Sequence, residues 1–157
     1  ITDICTDNER YIYACDMLGN KIIMIDMLED YKVTILQKGS WLEFPSSLVY
    51  DKINDRLIVS AYETGRIYEI DLEDLFVRTI TPFTIENVNS ILLDKDNLYI
   101  SGGKQEFRIL KFYNNKLTEI QKLDSSSGDM YLSKDNLLFC AVQYRDNIKK
   151  INLIPKI

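Results

Sequence analysis

The stretch DKINDRLIVSAYETGRIYEIDL, Asp51–Leu72, reads as turn, strand, turn, strand. Asp and Asn open it, an apolar run follows, the small pair Ser60-Ala61 closes that run, and a second apolar run ends on Ile70-Asp71. Paler copies surround it. TDNERYIYACD (6–16), DKDNLYISGG (94–103) and SKDNLLFCAV (133–142) repeat its first half, each with two small residues after the apolar run: Ala14-Cys15, Ser101-Gly102 and Cys140-Ala141. KIIMIDM (21–27), RILKFYN (108–114) and NIKKINL (147–153) repeat its second half.

The equivalent positions Asp26, Asp71, Tyr113 and Asn152 lie 45, 42 and 39 residues apart. A period of about 42 is the length of one propeller blade. Each copy divides into up to four strands. The first strands are expected at Thr2–Thr6, Ser47–Tyr50, Ser90–Leu93 and Asp129–Leu132; the second at Tyr11–Cys15, Leu57–Ala61, Leu98–Ser101 and Leu137–Ala141. The third are expected at Ile22–Asp26, Ile67–Asp71, Ile109–Tyr113 and Ile148–Asn152, and the fourth at Val33–Gln37, Val77–Thr81 and Leu117–Lys122. In the third strands Ile23, Ile25 and Met27 alternate with Ile22, Met24 and Asp26, the period of a strand. The mixed second face fits sheets covered on both sides. Asn and Asp stand in the first-to-second turns, where left-handed backbone is tolerated. Helical periodicity is weak throughout, so the fold is expected to be all-β.

Composition agrees. Of 157 residues 46% are hydrophobic and 27% charged, with ten Tyr and few Gly or Pro, the usage of a strand-rich globular domain. A net charge of −5 argues against a dedicated nucleic-acid binder, which needs clustered Lys and Arg. No apolar run reaches the roughly 18 residues of a membrane span. Without a single His, imidazole-based triads, shuttles and metal ligands are excluded. Cys5, Cys15 and Cys140 are odd in number and lack CxxC spacing, which reads as buried thiols in a reducing compartment such as the cytoplasm. DKDN (94–97) lacks the Gly and Glu of a calcium loop, SGGK (101–104) lacks phosphate-loop spacing, and neither calls for a cofactor.

The endings MIDM, EIDL and KINL, with the small pair in each second strand, resemble the repeats of NHL, YVTN and lactonase-like β-propellers. That resemblance spans the chain and implies four-stranded antiparallel blades at about residues 1–44, 45–86, 87–126 and 127–157. The last blade stops after its third strand, giving 15 strands where four closed blades need 16. A propeller normally pairs strands from both ends to leave no open edge. The sequence therefore reads as a segment of a larger propeller, or as a half-ring completed by a second copy in a homodimer.

In such blades the second-to-third and inter-blade loops share one rim. Here those loops are the longer ones, and they carry Trp41, Phe44, Tyr62, Phe83, Phe107 and Tyr144. Lys21, Arg66 and Arg108 recur at one repeat position, with Arg145 near the fourth. Aromatic and Arg side chains are the usual anchors of protein interfaces. The expectation is a non-catalytic scaffold that receives an acidic segment of a protein partner on this rim. The alternative, implied by the lactonase resemblance, is a metal-assisted hydrolase with oxygen ligands drawn from Asp3, Glu86, Asn87, Asn89 and Asp129.

Overall fold

The computed structural model describes residues 1–142 and 147–153. It holds fifteen strands and no helix among them, so no helix is long and apolar enough to cross a membrane. The strands form four antiparallel sheets: β1 (Asp3–Thr6) to β4 (Lys32–Lys38), β5 (Pro45–Asp51) to β8 (Val77–Thr79), β9 (Ser90–Asp94) to β12 (Lys116–Leu123), and β13 (Ser127–Leu132) to β15 (Asn147–Asn152). Between these come β2 (Tyr11–Asp16), β3 (Lys21–Asp26), β6 (Arg56–Ala61), β7 (Arg66–Asp71), β10 (Asn97–Gly102), β11 (Phe107–Tyr113) and β14 (Leu137–Val142). Every strand pairs with its chain neighbour, and the fourth sheet has three strands among the described residues. All fifteen fall where the repeats place them. The ends differ by at most two residues: β5, β11 and β13 begin at Pro45, Phe107 and Ser127, two residues before the expected Ser47, Ile109 and Asp129, and β8 ends at Thr79 instead of Thr81.

The chain divides into two compact units, Ile1–Glu86 and Asn87–Ile157, each built from two sheets. In the N-terminal unit Tyr13, Cys15, Ile22, Leu42, Leu48, Leu57, Val59 and Ile70 form one buried cluster. The C-terminal unit has its own, made by Tyr99, Ile109, Leu123, Met130, Leu138, Cys140, Val142 and Ile151. A bulge opposite the start of the third strand feeds each cluster. The register slips between Ile22 and Ile23 in the first sheet, and between Ile109 and Leu110 in the third. The residues left without a cross-strand partner are Leu36 and Ile120, and both pack against the core of their unit. An extra residue re-aims a side chain, which is the usual work of a bulge.

Within each unit the two first strands lie side by side, and one carboxylate ties them. Asp3 Oδ2 accepts from Ser47 Oγ at 2.6 Å and from the Leu48 N–H at 3.0 Å. In the C-terminal unit the roles swap sheets: Ser90 Oγ donates to Asp129 Oδ1 at 2.9 Å, and the same oxygen accepts from the Met130 N–H. The small pairs of the second strands are buried as expected at Ala14-Cys15, Ser60-Ala61 and Ser101-Gly102. They also do polar work. Ser60 Oγ lies 2.9 Å from Ser46 Oγ, and Ser101 Oγ donates to the Ser90 carbonyl. The fourth pair departs, with Cys140 buried but Ala141 exposed.

The turns depart at one point. Asn8, Asp55 and Asn136 take the left-handed conformation in the first-to-second turns, but in the third sheet Lys95 does so and its Asp and Asn neighbours do not. With β9 ending at Asp94 and β10 starting at Asn97, only Lys95 and Asp96 remain to turn the chain. Position in so tight a turn overrides residue preference.

Carboxylates pin the turns of the N-terminal unit. Desolvation raises the Asp7 carboxyl, but the N–H groups of Glu9, Tyr11 and Arg10 outweigh it and hold the group below the usual range. The Arg10 guanidinium, Nε at 2.9 and 3.0 Å from the two oxygens, holds Asp26 down in the same way. Asp51 is also lowered: burial raises it, and Asn54 and Arg56 together outweigh that. Groups whose folded pKa is depressed stabilise fully above their unfolded pKa, about 3.9 for Asp, and lose that contribution as pH falls through the folded value. The melting temperature is therefore expected to hold steady from pH 7 to 5 and to drop below about pH 4. A calorimetric scan series showing no decline down to pH 3 would contradict this assignment.

Candidate partner-binding site

The long-loop rim of the N-terminal unit is assembled around the turn at 62–65. Its Tyr62 N–H donates to the Phe44 carbonyl at 2.9 Å, and the Gly65 carbonyl accepts from the Ile85 N–H of the opposite loop at 2.7 Å. Gly65 has φ of +65°, and a Cβ there would stand 2.6 Å from the Ile85 oxygen, so only glycine lets the loop seat. The turn is thus held from both sides by inter-strand loops. Phe44 itself is left-handed, at φ 53°, and its N–H donates to Asn20 Oδ1 at 3.1 Å.

This docking leaves a cleft of about 360 Å³ lined by Arg66, Thr79, Thr81, Pro82, Phe83 and Thr84. Thr81 is buried and its hydroxyl donates to the Phe83 carbonyl at 3.2 Å, which shapes the wall. Arg66 opens β7 and is exposed, with no carboxylate in ion-pair distance among the described residues. Its repeat equivalents differ. Lys21 is paired with Asp16 at 3.1 Å, and Arg108 is bonded to Glu106 with Glu119 at 3.6 Å. The three recurring bases therefore do not form an equivalent set of free charges, because two of them are neutralised within their own sheets.

The aromatic candidates also separate. Trp41 is half-buried and packs edge-on against Tyr68, ring centroids 4.8 Å apart, on the flank of the N-terminal core. Phe107 packs against the C-terminal core. Tyr62 and Phe83 stay partly open on the N-terminal rim. Tyr144 and Arg145 lie outside the described residues.

Of the oxygen ligands considered for a cation, Asp3 and Asp129 are engaged in the strand ties described above. Asn89 donates from Nδ2 to Ser126 Oγ at 3.3 Å. Glu86 is exposed, and Asn87 is a left-handed residue at φ 50°. Among the described residues no three Cys, Asp or Glu side chains stand close enough to hold a metal ion. The three thiols are raised by burial first of all, Cys5 to about 12, Cys140 to about 11 and Cys15 well up, so none is a ready nucleophile at neutral pH.

Comparison with solved structures bears directly on this arrangement of sheets. A chain of a nidogen–laminin complex superposes with a TM-score of 0.86 at 14% identity, over 97% of this chain and 60% of that one. The WD40 beta propeller domain of Doa1 matches with a TM-score of 0.71 at 15% identity, over 96% and 51%. The fold is that of a β-propeller. A gluconolactonase from Xanthomonas campestris shares it, with a TM-score of 0.74 at 13% identity over 92% and 54%. This chain thus spans about half to three-fifths of the length of these propellers. No protein-family model matches the sequence, and no curated protein matches it significantly. Identities this low carry the fold and nothing finer.

Proposed function

We propose that this β-propeller chain is a non-catalytic platform that binds a protein partner on the long-loop rim of its N-terminal unit. The observation that carries this reading is Arg66: an exposed guanidinium with no carboxylate in ion-pair distance among the described residues, beside a cleft lined by Thr79, Thr81, Thr84, Pro82 and Phe83. An acidic side chain on the partner would pair with Arg66 while an adjacent apolar one fills the cleft. Arg and aromatic side chains in a rimmed pocket are the usual energetic centres of interfaces. The -ID- endings at Asp26 and Asp71 support placing the repeats with the NHL, YVTN and lactonase-like kind.

The test is photo-crosslinking from residue 84 in cells expressing the chain, followed by affinity measurement on whatever protein is captured. Arg66→Glu is expected to weaken that complex by at least about tenfold, some 1.4 kcal/mol, and to flatten its salt dependence. Equal affinity and equal salt dependence for Arg66→Glu and wild type would sink the reading. A stoichiometric divalent cation that is lost on mutating Glu86 and Asn87 would instead favour the hydrolase alternative.

A further inference from the structure

The N-terminal unit carries a second concavity, on the rim of short turns, where no binding residue was expected. It has a volume of about 660 Å³, within the range of small-ligand and side-chain pockets, which run from roughly 300 to 1,000 Å³. Its floor is apolar and aromatic, made by Tyr11, Tyr13 and Tyr50 with Met24, Leu36 and Leu72. Its rim comes from three separate turns and bears Asp7, Glu9, Asp55 and Glu73 against a single ammonium, Lys52.

The three tyrosines form a run of rings. Tyr11 and Tyr13 have centroids 6.2 Å apart, and Tyr13 and Tyr50 are stacked at the same distance with 23° between planes. Such faces attract cations, and the protein already uses one: the Arg10 guanidinium sits 5.0 Å from the Tyr11 centroid. Tyr13 is the central ring and is only 3% exposed, yet its hydroxyl makes no hydrogen bond among the described residues. The one fully buried side-chain oxygen or nitrogen without a partner among those residues is Ser127 Oγ. The Tyr13 hydroxyl is therefore not fully sealed in, and Tyr13 is one of the residues that line the groove. A phenol buried to this degree normally finds a partner for its O–H.

The rim charges are unequally committed. Asp7 Oδ1 accepts three backbone N–H groups, Asp55 Oδ1 accepts from the Tyr50 hydroxyl at 2.9 Å, and Glu9 is bridged to Lys52 at 3.0 Å. Glu73 is exposed, and its carboxylate has no partner among the described residues. An acidic rim over tyrosine faces, with an unpaired phenol at the centre, repels anions and leaves a purely apolar occupant no bond for Tyr13. It suits an aliphatic stem that ends in a cation.

We propose that this groove between the first two sheets receives a lysine or arginine side chain from a partner peptide, flanked by apolar residues. The site is independent of the Arg66 cleft and has the opposite charge preference.

The experiment uses the whole chain and four fluorescein-labelled heptapeptides, Gly-Ser-Leu-X-Leu-Ser-Gly, in which X is lysine, arginine, norleucine or glutamate. Anisotropy titrations at low salt are expected to show binding of the lysine and arginine peptides. The norleucine peptide should bind at least about tenfold more weakly and the glutamate peptide not at all. Glu73→Lys, an exposed change that leaves the core intact, should weaken the lysine peptide by tenfold or more. Tyr13→Phe, which keeps the ring, should weaken it a few-fold, and Arg66→Glu should leave it unchanged. Equal binding of the lysine and norleucine peptides would overturn the proposal. So would an unchanged lysine affinity in Glu73→Lys, or no binding of any peptide below about 1 mM.

Discussion

Replacing Arg56 with methionine is expected to destabilise the protein by about 3–5 kcal/mol at pH 7, the cost of leaving a buried carboxylate without its cation. Arg56 spans two acids. Its Nε donates to Asp51 Oδ2 at 2.8 Å and its Nη1 to Glu69 Oε2, with the side chains of Asp51 and Glu69 only 4% and 7% exposed. Arg78 also reaches Glu69, but its side chain is 65% exposed and it does nothing for Asp51. Removing Arg56 thus strands one carboxylate and weakens the hold on another, both in a setting where desolvation is severe. The sign of the pH dependence makes the cause testable. Arg56 is one of the groups that hold the Asp51 carboxyl below its usual range, so without the guanidinium that carboxyl titrates at higher pH and lowering the pH from 7 toward 5 relieves part of the cost. Urea melts of Arg56→Met and wild type at the two pH values should show the gap narrowing; a gap that widens or stays fixed would assign the loss to packing of the Arg stem instead. Arg10, its repeat equivalent, is paired with Asp26 and Glu29 and is more exposed, so Arg10→Met should cost less.

The second large effect is expected at Leu57, where substitution by alanine should cost about 2–5 kcal/mol through lost burial and the cavity left behind. Leu57 is fully buried and sits in the cluster that joins the two sheets of the N-terminal unit, with Leu48 and Tyr13 among its members. Ile35 makes the control. It is 54% exposed on β4, so Ile35→Ala should stay within about 0.5 kcal/mol of wild type. If the two variants unfold at the same denaturant concentration, the cluster is not the centre of stability in this unit. The outer strands explain the contrast. They face solvent and carry Lys32, Lys38, Lys116 and Lys122 near their ends, charges that discourage pairing with a stray edge.

The two proposed sites lie at different turns of one unit and differ in what recognises them. In the first proposal Arg66 acts as a cation, with no carboxylate partner among the described residues, beside a cleft lined by threonines, Pro82 and Phe83; in the second the tyrosine groove acts as an anionic rim over ring faces. Both attractions weaken with salt. Only Glu73→Lys should act on the groove and only Arg66→Glu on the cleft, so the pair of variants separates them.

Strand positions and the all-β class were legible in the chain itself. Alternation with period two and turn residues at a period near 42 are local signals, and each strand pairs with its neighbour in sequence. Local pairing leaves little for distant contacts to change. What the chain could not declare was which charges would find partners. Lys21, Arg66 and Arg108 occupy one repeat position, yet whether each is free depends on a carboxylate from another strand or turn: Asp16 for Lys21, and Glu106 with Glu119 for Arg108. Arg10 and Arg56 likewise share a position but take different acids, Asp26 in one sheet and Asp51 with Glu69 in the next. The tyrosine groove was hidden for the same reason. Tyr11, Tyr13 and Tyr50 read as ordinary strand residues, and only the packing of one sheet against another brings their rings into a run beneath carboxylates from three turns. Repetition and hydrogen-bonding along the chain set the sheets; side-chain meetings between sheets, which depend on distance and desolvation, decided the sites.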